Sequence, residues 1–156
     1  MFGFLKRKIR EIKSPVDGQV VALESVDDDV FSQKLVGDGV AIMPMSDVFT
    51  APIDGTITKI FSTNHAYSIK SPKDLEVMVH IGLETVALAG KGFERLANEG
   101  DEHNAGDPII RVDLAYIREH AKDIVTPIII SEESDVKSID KRLNIVKSQD
   151  MIMEVS

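Results

Sequence analysis

The 156-residue chain contains no cysteine and no tryptophan, and its aromatic side chains are limited to six phenylalanines and two tyrosines. Without cysteine there are no disulfides, thiolate nucleophiles or thiolate metal ligands, and the composition suits a reducing, cytoplasmic compartment. With so few rings, the core must rest on valine, isoleucine and leucine. No apolar run approaches the roughly 20 residues of a membrane span. The opening Phe2-Gly3-Phe4-Leu5 is too short for a signal-peptide core and is followed by charges, so no secretory leader is expected. Phosphate-cradling loops are also missing. Gly37-Asp38-Gly39 lacks the Lys-Ser/Thr of a P-loop and the third glycine of a dinucleotide fingerprint.

What is there suits one soluble globular domain: 43% of residues are hydrophobic and 28% charged. The net charge of −8 is unevenly placed. Residues 1–13 carry five basic residues against Glu11, a balance of +4, which leaves −12 on the remainder. Such a body repels nucleic acid and favours partners with a basic face. Phe2, Leu5, Ile9 and Ile12 fall at helical spacing among those basic residues. Residues 1–13 therefore read as a segment apart from the domain at 14–156, either a short amphipathic helix with weak membrane-surface contact or a frayed terminus.

From Ser14 the texture is one of short strands and turns. Pro15-Val16-Asp17-Gly18 leads into the alternating Gln19–Leu23, and Pro52-Ile53-Asp54-Gly55 leads into Thr56–Ile60. Two copies of one unit, with many short strands elsewhere, predict an all-β antiparallel sandwich with an internal pseudo-repeat and short helical inserts. Phe31, Leu35 and Val36 fall on one side of a single helical turn. Further strands are expected over residues 82–88, 109–113, 126–130 (an edge strand, with proline at its start) and 151–155. Short helices are expected over 92–100 and 114–121.

One stretch organises the chain. In Leu75–Ile81, Leu75, Val77, Val79 and Ile81 share one face and Glu76, Met78 and His80 the other. The aliphatic face belongs to the core, so His80 leaves it, held rigidly yet reachable. If Phe61–His65 is extended, Thr63 lies beside His65 on one face. A strand–turn–strand path then brings His65 opposite His80. The other two histidines suggest less: His103 lies in a charged turn and reads as solvated, and His120 suits a helix C-terminus.

Several chemistries fit such a pair. Zinc would need a third ligand, for which Asp74, Glu76 or Glu84 are the nearby donors. Hydrolysis by general acid and base would need an oriented third group and an oxyanion hole, and no nucleophile motif is present. Covalent catalysis needs only that one imidazole accept a group while the other stabilises it, and a phosphoryl group is the natural cargo. Two surface histidines without a task have the same description.

The ordered motifs go further. The Asp29-Val30-Phe31 segment leads into Val36–Ile42. Ala51–Gly55, Thr63-Asn64-His65-Ala66, Val79-His80-Ile81-Gly82-Leu83-Glu84-Thr85-Val86 and Gly92-Phe93 follow. Together they resemble the glucose-family enzyme IIA of the bacterial phosphoenolpyruvate-dependent sugar phosphotransferase system, from about Pro15 to Ile130. The resemblance implies an antiparallel β-sandwich and a phosphotransferase component. It implies phosphorylation of His80, with His65 beside it and Thr63 orienting His65. The implied donor is the histidine-containing phosphocarrier protein, and the implied acceptor is a cysteine on the IIB domain of a sugar permease.

On this reading, Phe31, Leu35, Val36, Phe61, Met78 and Val86 form an apolar collar for docking partners, and Asp28 and Glu84 form an acidic rim. Core packing is the better reading for Val86 and the weaker one for Phe31 and Met78. No cofactor beyond the covalent phosphohistidine is expected, and the chain is expected to be a monomer. The family commonly has aspartate at Glu84 and phenylalanine or leucine at Met78. The runner-up is a biotinyl- or lipoyl-like carrier of related shape, but Lys70 and Lys73 lack the context of a modified lysine. A histidine-based zinc protein is the other alternative, though a zinc peptidase would need a His-x-His pair where Ile81-Gly82 follows His80.

Overall fold

The alternation around His80 is realised as a strand flanked on both sides. The computed structural model of the chain describes residues 9–156. In chain order its strands begin with β1 (Arg10–Lys13), β2 (Gly18–Ala22), β3 (Gly37–Pro44), β4 (Val48–Thr50), β5 (Gly55–Ile60), β6 (Ala66–Lys70) and β7 (Glu76–His80). They continue with β8 (Phe93–Arg95), β9 (Glu102–His103), β10 (Pro108–Val112), β11 (Thr126–Ser131), β12 (Ile139–Lys141), β13 (Ile145–Val146) and β14 (Met151–Val155). Two short helices, α1 (Asp29–Ser32) and α2 (Leu114–His120), interrupt them. The strands pair antiparallel in an eight-stranded sheet ordered β13-β2-β3-β11-β7-β6-β5-β9 and two three-stranded sheets, β1-β14-β12 and β4-β10-β8.

The core is aliphatic, as the shortage of rings requires. Leu75, Val77, Val79 and Ile81 are buried, while Glu76, Met78 and His80 are only partly so. The main cluster joins this face to Val40, Ile42, Phe49, Ile57, Ile69, Ile109, Ile110, Ile128 and Ile152. A second cluster of Leu23, Val26, Phe31, Ala41, Leu83, Val125 and Ile129 lies on the other face of the long sheet.

The pseudo-repeat is structural. Gly18 opens β2 and Gly55 opens β5, each the first strand of a hairpin. A Cβ on Gly18 would lie 2.3 Å from the Met43 carbonyl oxygen, and one on Gly55 would lie 2.3 Å from that of Lys70. Each Asp-Gly turn thus ends where the partner strand's backbone crosses too closely for any side chain.

Four local expectations need correction. Residues 10–13 are not part of a detached helix: they form β1, paired with β14, with Ile12 fully buried. Sheet pairing claims them, and residues 1–8 lie outside the described residues. Residues 82–88 do not form a strand. Glu84 takes a left-handed conformation at φ 58°, a 3-10 turn over Thr85–Leu88 follows, and the Thr85 hydroxyl donates to the Ile81 carbonyl at 2.7 Å. Residues 92–100 do not form a helix. Phe93 and Ala97, both buried and four apart, imitate helical spacing, but Phe93–Arg95 pair with β10 instead. Finally, β11 lies inside the sheet between β3 and β7. Proline is tolerated there because Pro127 pairs only with Ala41, and the β7 ladder begins at Ile128.

Candidate active site

The register of the β6–β7 hairpin assembles the site. Ala66 pairs with His80, and the Ile81 amide donates to the His65 carbonyl at 2.7 Å. His65 immediately precedes β6, and His80 ends β7, so the two side chains emerge together. Their ring centroids are 5.0 Å apart at 78°. The path between them is strand–turn–strand, as expected, but Phe61–His65 is a tight loop rather than an extended strand. Within it the Asn64 amide donates to the Phe61 carbonyl at 2.7 Å, and Asn64 itself is left-handed at φ 60°. The loop still brings Thr63 and His65 together: the Thr63 hydroxyl and His65 Nδ1 share a hydrogen bond.

His80 Nδ1 donates to the Gly82 carbonyl at 2.8 Å. A carbonyl only accepts, so the proton of the neutral ring sits on Nδ1 and the lone pair on Nε2. Gly82 is needed there. It turns the backbone at φ +75°, and a Cβ would lie 2.7 Å from Thr85 Cγ2 and 2.8 Å from the Asp123 carbonyl oxygen.

Burial pushes the His80 pKa below its ordinary value, against the opposing pull of the Gly82 hydrogen bond and the Asp28 carboxylate. His65 is lowered to about 4 by burial and by the neighbouring His80. Both rings are therefore neutral near pH 7. The pair offers two imidazole nitrogens to a metal, and among the described residues no group of three or more His, Cys, Asp or Glu side chains could hold one.

One phenylalanine lies against each ring. The Phe31 ring centroid lies 4.9 Å from that of His80, Phe61 meets His65 edge-on at 5.3 Å, and the Lys59 ammonium lies 4.6 Å from the Phe61 ring centroid. Met78 is partly buried on the same face of β7 as His80. Phe31 is only 5% exposed and belongs to the second core cluster, so the core reading set aside for it is the right one. Val86 departs the other way, 59% exposed on the turn after Gly82 and not packed in the core. Leu35 is 60% exposed and Val36 is also open, because α1 closes at Ser32 and only Phe31 of the three turns inward. Asp28 caps α1 by accepting from the Val30 amide at 3.0 Å, and Glu84 is exposed.

The remaining histidines are held elsewhere. His103 is not solvated; its Nδ1 lies 3.1 Å from an Asp107 carboxylate oxygen. His120 ends α2, stacked on Tyr116 at 4.1 Å. Sequence reasoning missed Arg95, which reaches the Phe61–His65 loop from β8. Its Nε donates to Asn64 Oδ1 at 2.9 Å and its Nη2 to the Phe61 carbonyl at 3.4 Å.

The model for the phosphoenolpyruvate-dependent sugar phosphotransferase system, EIIA 1, matches residues 10–136. The chain belongs to this family. Among its EIIA relatives is the glucose-specific EIIA component of Borreliella burgdorferi, 43% identical over 88% of this chain and 72% of that one. The N-acetylglucosamine-specific EIICBA component of Escherichia coli is 43% identical over 93% of this chain but 22% of its own length, an EIIA-like part of a larger polypeptide. The solved glucose permease IIA from Mycoplasma capricolum superposes with a TM-score of 0.92 at 35% identity, covering 97% of this chain and 99% of that one. The expected antiparallel sandwich and phosphotransferase role are thereby established for this EIIA component. The biotinyl- or lipoyl-like and zinc-protein alternatives are not favoured. Among the described residues no helix is long and apolar enough to cross a membrane.

Proposed function

We propose that this EIIA component carries its phosphoryl group on Nε2 of His80. It receives the group from the histidine-containing phosphocarrier protein and passes it to a cysteine on the IIB domain of a sugar permease. The observation that carries the reading is the His80–Gly82 hydrogen bond, which commits Nδ1 as a donor and leaves Nε2 with its lone pair.

In the first transfer Nε2 attacks phosphorus in line, and the bond to the donor's nitrogen breaks as the new P–N bond forms. The Nδ1 proton stays on the ring, which becomes cationic, and the Asp28 carboxylate favours that charge. In the second transfer a thiolate attacks phosphorus and the P–N electron pair returns to Nε2. His65 assists in both directions. Thr63 donates its hydroxyl proton to His65 Nδ1, so the neutral ring offers Nε2–H to a phosphoryl oxygen as charge builds. Both partners dock on the same collar of Leu35, Val36, Phe61, Met78 and Val86, with the Phe31 ring as its floor, and exclude water that would hydrolyse the intermediate. Asp28 and Glu84 steer a basic donor surface. The chain works as a cytoplasmic monomer with no cofactor other than the covalent phosphate.

Incubation with phosphoenolpyruvate, enzyme I and the phosphocarrier protein, followed by mapping of acid-labile phosphate, tests this. Label is expected on His80, absent in His80→Ala, and retained but slowly passed on in His65→Gln. Undiminished labelling of His80→Ala overturns the assignment.

A further inference from the structure

We infer that Arg95 is a positioning residue for phosphoryl transfer, acting on His65 through Asn64; the inference rests on the proposed role of the histidine pair. Arg95 belongs to β8, in the sheet β4-β10-β8, whereas the loop that carries His65 joins β5 to β6 in the long sheet. The guanidinium spans the gap. Nε donates to Asn64 Oδ1 and Nη2 to the Phe61 carbonyl, so one planar group holds both ends of the turn Phe61–Asn64.

Two features say that this grip is the side chain's task. Among the described residues Arg95 makes no ion pair, although its strand neighbour Glu94 pairs with Arg111 at 3.0 Å. Its main acceptor, moreover, is the residue with the least ordinary backbone in the loop. Asn64 is left-handed, and the next residue is His65. A left-handed Asn with only His65 between it and β6 leaves the orientation of His65 to whatever fixes Asn64, and a side-chain oxygen held by arginine does so. The Thr63–His65 hydrogen bond fixes the ring relative to the loop; the Arg95 clamp fixes the loop relative to the second sheet. A ring that must meet a phosphoryl oxygen on His80 needs both.

The test compares Arg95→Ala, Arg95→Lys, Asn64→Gly and the double variant Asn64→Gly/Arg95→Ala with the wild type. Asn64→Gly keeps the left-handed backbone and removes only the oxygen that Arg95 holds. Transfer from phosphorylated protein to IIB is followed by rapid quench, and the His65 ring by nitrogen NMR across pH. Arg95→Ala and Asn64→Gly are each expected to slow onward transfer about tenfold and to move the His65 titration and tautomer signals. The double variant is expected to be no slower than the worse single variant, and Arg95→Lys to recover part of the rate. The final extent of His80 labelling should not change, and Glu94→Ala should behave as wild type. Wild-type transfer in Arg95→Ala, or slowed transfer with His65 signals unmoved, overturns the inference. Failure of the wild type to label on His80 would instead overturn the relay reading itself.

Discussion

His80 and Gly82 are two residues apart, and the carbonyl of the second holds Nδ1 of the first at 2.8 Å. The contact exists because the chain reverses at Gly82 with φ +75°. Gly82→Ala is therefore expected to be destabilised by about 1–3 kcal/mol in denaturant unfolding, since its Cβ meets Thr85 and the Asp123 backbone. It should also accept phosphate more slowly, because the Nδ1–H tautomer loses its anchor. Nitrogen NMR of the wild type should show Nδ1 protonated and Nε2 bare; the reverse tautomer would contradict the attacking-atom assignment.

Thr63 is the corresponding anchor for His65. Thr63→Val keeps the shape and removes the hydroxyl that shares a hydrogen bond with His65 Nδ1. Labelling of His80 should persist, with onward transfer slowed about tenfold and the His65 ring divided between tautomers in nitrogen spectra. An unchanged transfer rate would mean that the hydroxyl does not orient the ring.

The histidine pair was legible in the sequence because strand periodicity is local: Leu75 to Ile81 alternate, so His80 leaves the core whatever the partners of its strand. The neighbourhood of His65 was less legible. A loop and a strand can deliver Thr63 beside His65 equally well, and only long-range pairing of Ala66 with His80 decides. The Arg95 clamp had no local signal, since it joins a strand of one sheet to a loop of another, 31 positions apart. The one hint lay in Asn64, a residue type that tolerates the left-handed conformation. Phe31 and Val86 were misjudged for a similar reason. One helical turn and one short 3-10 turn carry too little periodicity to say which side chain faces in.

The acid limb of stability follows from His65. Its folded pKa of about 4 lies below the ordinary value of 6.5, so the unfolded chain binds a proton that the folded chain refuses. The associated stability is complete above pH 6.5 and is lost as pH falls toward 4, and the lowered His80 adds in the same sense. Thermal unfolding across that window should show the wild type losing stability more steeply than His65→Gln, in which the group cannot titrate. Phosphorylating His80 sets a dianion beside His65 and should raise the His65 pKa. Parallel stability curves for wild type and variant would remove burial of a neutral His65 as the cause.

The proposed collar separates into buried residues that hold the fold and exposed residues that do not, and the two should respond differently. Phe31 is buried among Leu23, Val26, Leu83 and Ile129 and touches His80. Phe31→Ala should therefore cost about 3–5 kcal/mol of stability, and any loss of docking would come with it. Leu35 and Val86 are about 60% exposed and leave no cavity when shortened. Leu35→Ala and Val86→Ala should keep the wild-type melting temperature, yet weaken donor binding by about 1–2 kcal/mol each in calorimetric titration with the phosphocarrier protein. If those variants bind as tightly as the wild type, partners dock elsewhere. Leu35 and Val86 would then have no part in excluding water from the transfer.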